Sequence, residues 1–187
     1  MKIDHLVEGS TDRALIRGLH RQLCPDAELV EGHFRGSING VGRKRELASA
    51  CAELDAKDVD VIVDVNDANE MTWHQRRDQE RSWIPPQYHH KVAVGCPEPN
   101  ISAWLIADAG HFQRATGSPC RPKPEDPKPL TDTAFHVTGI EKREMEIAEF
   151  VAEADLAVWR REDRSFDAFA QECREIGRAL ACTLRER

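Results

Sequence analysis

Val59-Asp60-Val61-Ile62-Val63-Asp64-Val65-Asn66-Asp67 is the stretch on which the fold turns. Val59 to Val63 is the strongest strand signal in the chain, rich in β-branched residues and free of glycine and proline. It runs into a polar end, Asp64-Val65-Asn66-Asp67. On its N-terminal side, Lys2 to Val7 reads as a strand that stops at Glu8-Gly9. A helix follows from Thr11 to Leu23, with Ser10 or Thr11 as cap and Asp12 in the first turn, where the helix dipole favours an acid. Leu15, Leu19 and Leu23 form its apolar stripe. Ala27 to Val30 is a weaker strand. The glycine-spaced loop Gly32, Gly36, Gly40 and Gly42 then leads to a helix carrying Leu47, Cys51 and Leu54 on one face.

Beyond Asp67, a polar, arginine-rich segment reaches Pro85-Pro86, and Lys91 to Gly95 reads as the fourth strand. Cys96-Pro97-Glu98-Pro99 follows it, and Asn100 is placed to cap a short helix from Ile101 to Asp108. Strands alternating with helices imply βαβ units and a mainly parallel four-stranded sheet flanked by helices. Five prolines between residues 117 and 130 mark a linker. Two more helices are expected after it. Ile147, Val151, Ala154 and Val158 line the first, and Phe166, Phe169, Cys173, Ile176 and Leu180 the second. A C-terminal helical hairpin packed on the sheet would bury both stripes. The chain therefore divides into an α/β domain over 1–116 and a linker with helices over 117–187.

The chain has 187 residues, 40% of them hydrophobic and 32% charged, the composition of a soluble globular domain. No apolar run approaches the ~20 residues of a membrane span. The start, MKIDHLVEGSTD, lacks the form of a secretory signal, which points to the cytoplasm. The net charge of -7 argues against holding nucleic acid by bulk charge alone. Six cysteines show no C-x-x-C spacing and read as free thiols, several of them core residues.

Three of the four expected strands end in an acid: Glu8, Asp64 and Glu98. A parallel sheet gathers those ends along one edge, where open α/β sheets bind ligands. Crowded carboxylates repel unless a cation neutralises them, and all-oxygen donors suit Mg²⁺ or Mn²⁺. Acids also favour loops and helix starts for purely local reasons. Arg43-Lys44-Arg45 opens a helix after the glycine-spaced loop, where phosphate could dock, or where a basic turn simply meets water. Arg76, Arg77 and Arg81 with Trp73 and Trp83 read first as a surface helix with its tryptophans packed down, and second as a nucleic-acid-stacking lid. His89 and His90 point to opposite faces if they lie in a strand, which disfavours zinc.

Leu6-Val7-Glu8-Gly9-Ser10-Thr11-Asp12 resembles the first motif of the TOPRIM family, and Val61 to Asp67 resembles the second. Pro97 to Asp108 is similar to a segment of small TOPRIM-like proteins related to the overcoming-lysogenization-defect nucleases. The likeness covers residues 2 to 108. It implies a TOPRIM-like Rossmannoid fold and a Mg²⁺- or Mn²⁺-dependent nuclease acting on DNA or RNA, in the setting of bacterial anti-phage defence. Glu8 would be the catalytic acid or base, and Glu8, Asp64, Asn66, Asp67 and Glu98 the metal ligands. Arg43, Lys44 and Arg45 would steady phosphate. A partner ATPase and a homodimer are further expectations.

The sequence departs from the family pattern in two places. Asn66 stands where the second aspartate is expected, and Ser102 stands where an acid is expected two residues before Trp104. Both departures suit an alternative: a catalytically degraded binding or sensor subunit beside an ATPase. A phosphotransferase or primase-like enzyme using the same metal is a third option.

Overall fold

The computed structural model describes residues 1–30, 41–121 and 124–179. Gly32, Gly36 and Gly40, Pro122, Leu180 and Cys182 lie outside that range. Strands β1 (Lys2–Leu6), β2 (Glu28–Leu29), β3 (Val61–Val65) and β4 (Val92–Gly95) form an all-parallel sheet in the order β2-β1-β3-β4. The chain is thus an α/β fold of the Rossmann-like kind, with helices on both faces.

The strongest strand is shifted by two residues from its expected position. Val59 packs beneath the helix that precedes it, and the Asp60 carboxylate accepts from the Lys2 backbone N–H at 2.8 Å. Pairing therefore starts at Val61, in register with Ile3, and runs through Leu6 opposite Asp64 and Asp64 opposite Val94. Asp64 is consequently a residue within a strand flanked on both sides, not the acid at its end.

The two faces of the sheet bury different helices. Ile3, Val61, Val63, Val65 and Ala93 share one apolar cluster with α1 (Ser10–Leu23), α7 (Ile140–Glu153) and α9 (Arg164–Ala179). Leu6, Ile62, Val92 and Val94 face Leu47, Cys51 and Leu54 of α2 (Val41–Asp55), and Ile84 just past α3 (Trp73–Trp83). Alternation along each strand produces this division, because successive side chains point to opposite faces. Trp73 and Trp83 are partly buried against the second cluster, with Arg77 lying 5.2 Å from the centre of the Trp73 ring. The packed-down surface helix describes this segment. His89 and His90 sit in the turn before β4 rather than in it, and His89 Nε2 lies 2.9 Å from the Ile84 carbonyl.

A helical hairpin is not what the C-terminal region forms. A break at Ala154 separates α7 from α8 (Leu156–Glu162), because the Asp155 carboxylate caps the new helix by accepting from Ala157 and Val158 N–H. Val158 therefore lies in α8, not in the stripe of α7. α7 packs chiefly on α1, and α9 packs chiefly on β4. The Glu172 carboxylate of α9 accepts from Val94 N–H at 2.8 Å, which occupies part of the open edge of β4. The thiols of Cys51 and Cys96 are buried and form no disulfide. No described helix is long and apolar enough to cross a membrane.

The α1–α7 contact depends on the absence of a side chain at Gly18. A Cβ there would lie 2.5 Å from Val151 Cβ and 2.7 Å from the Ala148 carbonyl oxygen. The second contact is with helix backbone, which cannot step aside. Gly18→Ala should therefore lower stability by about 2 kcal/mol, overpacking outweighing the gain in helix propensity. The urea midpoint measures it, and a midpoint equal to or above that of the unsubstituted chain would contradict the close approach.

Candidate functional site

Strand order reverses direction between β1 and β3: the chain crosses from β1 outward to β2, then returns past β1 to β3 and on to β4. Ligands in open parallel sheets bind beyond the carboxyl ends of the strands at such a switch point. Glu8 follows β1 there, and Asp64, Asn66 and Asp67 occupy the end of β3.

Two clusters of charge form at this edge, with Glu8 electrostatically coupled to both. The first contains Glu8, Asp12 and Asp67. Gly9, in extended conformation, is the N-cap of α1, and the Asp12 carboxylate accepts from its N–H at 2.8 Å. Asp12 is the capping acid, and Ser10 is already in the helix. Burial pushes its carboxyl up to about 7, and the charges of Asp67 and Glu8 add to the rise. Asp67 Oδ1 accepts from the Ile101 N–H at 2.8 Å, tying the end of β3 to the start of the segment before α4 (Ser102–Leu105). Burial raises the Asp67 carboxyl to about 6, with Glu8 adding to it.

These shifts have a direct consequence for stability. An acid that holds its proton more tightly when folded makes the folded chain bind more protons than the unfolded one. That difference operates between the ordinary value of 3.8 and about 7 for Asp12. Stability should therefore fall as pH rises through this window. Asp12→Asn, which keeps an oxygen for the Gly9 N–H, should flatten the fall. Thermal melts across the window check this, and a melting temperature that rises with pH would overturn it.

The second cluster lies on the α2/α3 side of the sheet and is nearly sealed from water. Asp64 and Glu80 are 0% exposed, Asn66 2% and Arg43 5%. Arg43 Nη2 donates to Asp64 Oδ1 at 2.6 Å, and Arg43 Nε lies 3.4 Å from Glu80 Oε2. Arg76 Nη2 reaches Glu80 Oε1 at 3.0 Å, and Asn66 Nδ2 donates to the same oxygen at 2.6 Å. Loss of water holds the Asp64 carboxyl above its ordinary range, Arg43 opposing and Glu80 adding to the rise. Asp64 Oδ2 and Asn66 Oδ1 are buried and have no hydrogen-bond partner among the described residues.

The expected site residues are thus only partly brought together. Glu8, Asp64, Asn66 and Asp67 all lie at this edge of the sheet, Asp67 in the first cluster and Asp64 with Asn66 in the second. Glu98 does not join them: it is exposed, and its Oε2 accepts from Trp73 N–H at 2.8 Å, capping α3. The basic trio is split as well. Arg43 turns inward to Asp64 and Glu80 and is not free for phosphate, whereas Lys44 and Arg45 remain exposed. Ser102, standing where an acid was expected, is buried with its Oγ 2.6 Å from Thr131 Oγ1 of α6 (Lys128–Ala134).

Glu80 and Arg76 are the residues that sequence reasoning missed. Their four-residue spacing on a helix signals a pair, but only the packing of α3 on the sheet shows that the pair is buried. Among the described residues no group of three or more histidine, cysteine or acidic side chains converges to hold a metal. Asp64 Oδ2 and Asn66 Oδ1, buried and without a described partner, are oxygen donors of the kind that Mg²⁺ or Mn²⁺ accepts. Compared with protein-family models, curated proteins and solved structures, the chain matches none.

Proposed function

We propose that the chain is a TOPRIM-like, Mg²⁺- or Mn²⁺-dependent phosphodiesterase that acts on DNA or RNA. The observation that carries this is the pair of buried, unpartnered oxygens at the switch point, Asp64 Oδ2 and Asn66 Oδ1, beside Glu8. A buried polar atom without a partner is costly, so a bound cation or water that satisfied it would be favoured. Asp64 and Asn66 would hold the cation, with Glu8 and Asp67 at its margin and water completing the shell, as Mg²⁺ commonly retains several waters. The bound cation would supply charge stabilisation to a phosphoryl oxygen. Half-buried Glu8, whose charge also acts on Arg43, would hold or move a proton at its carboxylate. Exposed Lys44 and Arg45 at the start of α2 would attract the phosphate backbone.

A second reading has its own support. Arg43 already satisfies one oxygen of Asp64 at 2.6 Å, which lowers the need for a further cation and suits a binding subunit beside an ATPase. Calorimetric titration of the whole chain with Mg²⁺ and Mn²⁺, followed by cleavage assays on labelled single- and double-stranded DNA and RNA, separates the two. Metal binding with metal-dependent cleavage supports the phosphodiesterase. Metal binding without cleavage of any substrate moves the assignment to the binding subunit.

A further inference from the structure

We propose that Glu80 is a positioning residue: it turns the Asn66 amide so that its oxygen, together with the free oxygen of Asp64, is offered to a divalent cation. This assignment rests on the metal-site reading above and extends it to a residue on α3 that touches neither cation nor substrate.

The orientation of the amide follows from the donors around Glu80. Its carboxylate receives Arg76 on one oxygen and Arg43 on the other, so it accepts hydrogen bonds and has none to give. The Asn66 atom 2.6 Å from Glu80 Oε1 must then be the amide nitrogen, since an oxygen there would face an anion at contact distance. With its nitrogen pinned, Asn66 presents Oδ1 in the other direction, where no described residue donates to it. Asp64 repeats the pattern two residues earlier on the same strand. One of its oxygens is taken by Arg43, and the other is left without a partner. Residues two apart on a strand share a face. Each side chain therefore spends one polar atom on the buried network and leaves one oxygen over.

The same contact explains why residue 66 is not an acid. An aspartate there would set a second carboxylate against Glu80 Oε1 in a site 2% exposed. Asparagine and Glu80 are thus a matched pair: the glutamate keeps the charge, and the amide keeps an oxygen for the cation.

The test uses the full chain, unsubstituted and with Asn66→Asp or Glu80→Met. Metal-free melting temperature and Mg²⁺ affinity by calorimetry are measured on each. Asn66→Asp should melt lower than the unsubstituted chain. Glu80→Met, checked for native circular dichroism, should weaken Mg²⁺ binding by ~10–100-fold, the range for a residue that orients a ligand. Should Glu80→Met fail to fold, the melt of Asn66→Asp decides. If the unsubstituted chain binds Mg²⁺ and Asn66→Asp melts no lower, or folded Glu80→Met binds as well as the unsubstituted chain, Glu80 does not position Asn66 and the metal-site reading stands. If the unsubstituted chain binds no divalent cation, both fall together.

Discussion

Arg43→Met is expected to destabilise the chain by roughly 3–5 kcal/mol, the usual cost of removing one partner from a buried ion pair. Arg43 is the cation that Asp64 and Glu80 share, and both acids are fully buried. Without it, Glu80 keeps Arg76 and the Asn66 amide, and Asp64 loses the one described donor to its carboxylate. Methionine fills much of the same volume, so the loss reports on charge rather than on a cavity. Against a typical domain stability of ~5–15 kcal/mol, a change of that size is a large fraction of the total. Equilibrium urea unfolding measures it. A loss below ~1 kcal/mol would mean that the acids take up protons at little cost and that the network does not organise the edge of the sheet. Arg43→Lys should fall between, because an ammonium can meet one carboxylate but lacks the planar fork that reaches two.

Glu8→Gln should abolish most metal-dependent cleavage, by ~10²–10⁴-fold, if its carboxylate handles the proton. The substitution is nearly isosteric at a half-buried position, so the fold should be retained. It should also bring a stability gain in mildly alkaline buffer, because Glu8 raises the carboxyls of both Asp12 and Asp67 by repulsion. The two readouts are independent. Cleavage that stays within a few-fold of the unsubstituted chain would remove Glu8 from the chemistry, while the stability gain alone would still establish that its charge faces the other two acids. Steady-state rates with saturating Mn²⁺ and parallel melts provide both.

Much of the architecture was legible from local pattern. The apolar run around Ile62, the Glu8-Gly9 stop before an amphipathic helix, and the strand–helix alternation to residue 108 lead to a parallel sheet with helices on both faces, as found. These features are local or periodic, and burial on the sheet enforces them. Boundaries set by single long-range contacts were not legible. The start of β3 at Val61 rests on paired contacts between Asp60 and Lys2, which span 58 positions of the chain. The split of the expected first C-terminal helix at Asp155 had a local signal, a capping aspartate before Leu156, that apolar periodicity alone overlooked. The separation of α7 onto α1 and α9 onto β4 had none. Both stripes read alike, and the choice of surface was made by Gly18 on one side and by the Glu172 contact to Val94 on the other.

At the candidate site the division is similar. By itself the sequence determined that acids would arrive at the carboxyl ends of β1 and β3, because a parallel sheet places all such ends on one edge. It also determined that Asn66 would bring an amide where an acid was expected. Only the tertiary structure decided which of these groups are free to act. It turned Arg43 away from water to neutralise Asp64, and it sent Glu98 to cap α3. It also brought Glu80, fourteen positions beyond Asn66, against the amide nitrogen. The physical reason is that a side chain's charge and hydrogen-bonding capacity are local, whereas its burial and its partners belong to the packing of elements distant in sequence.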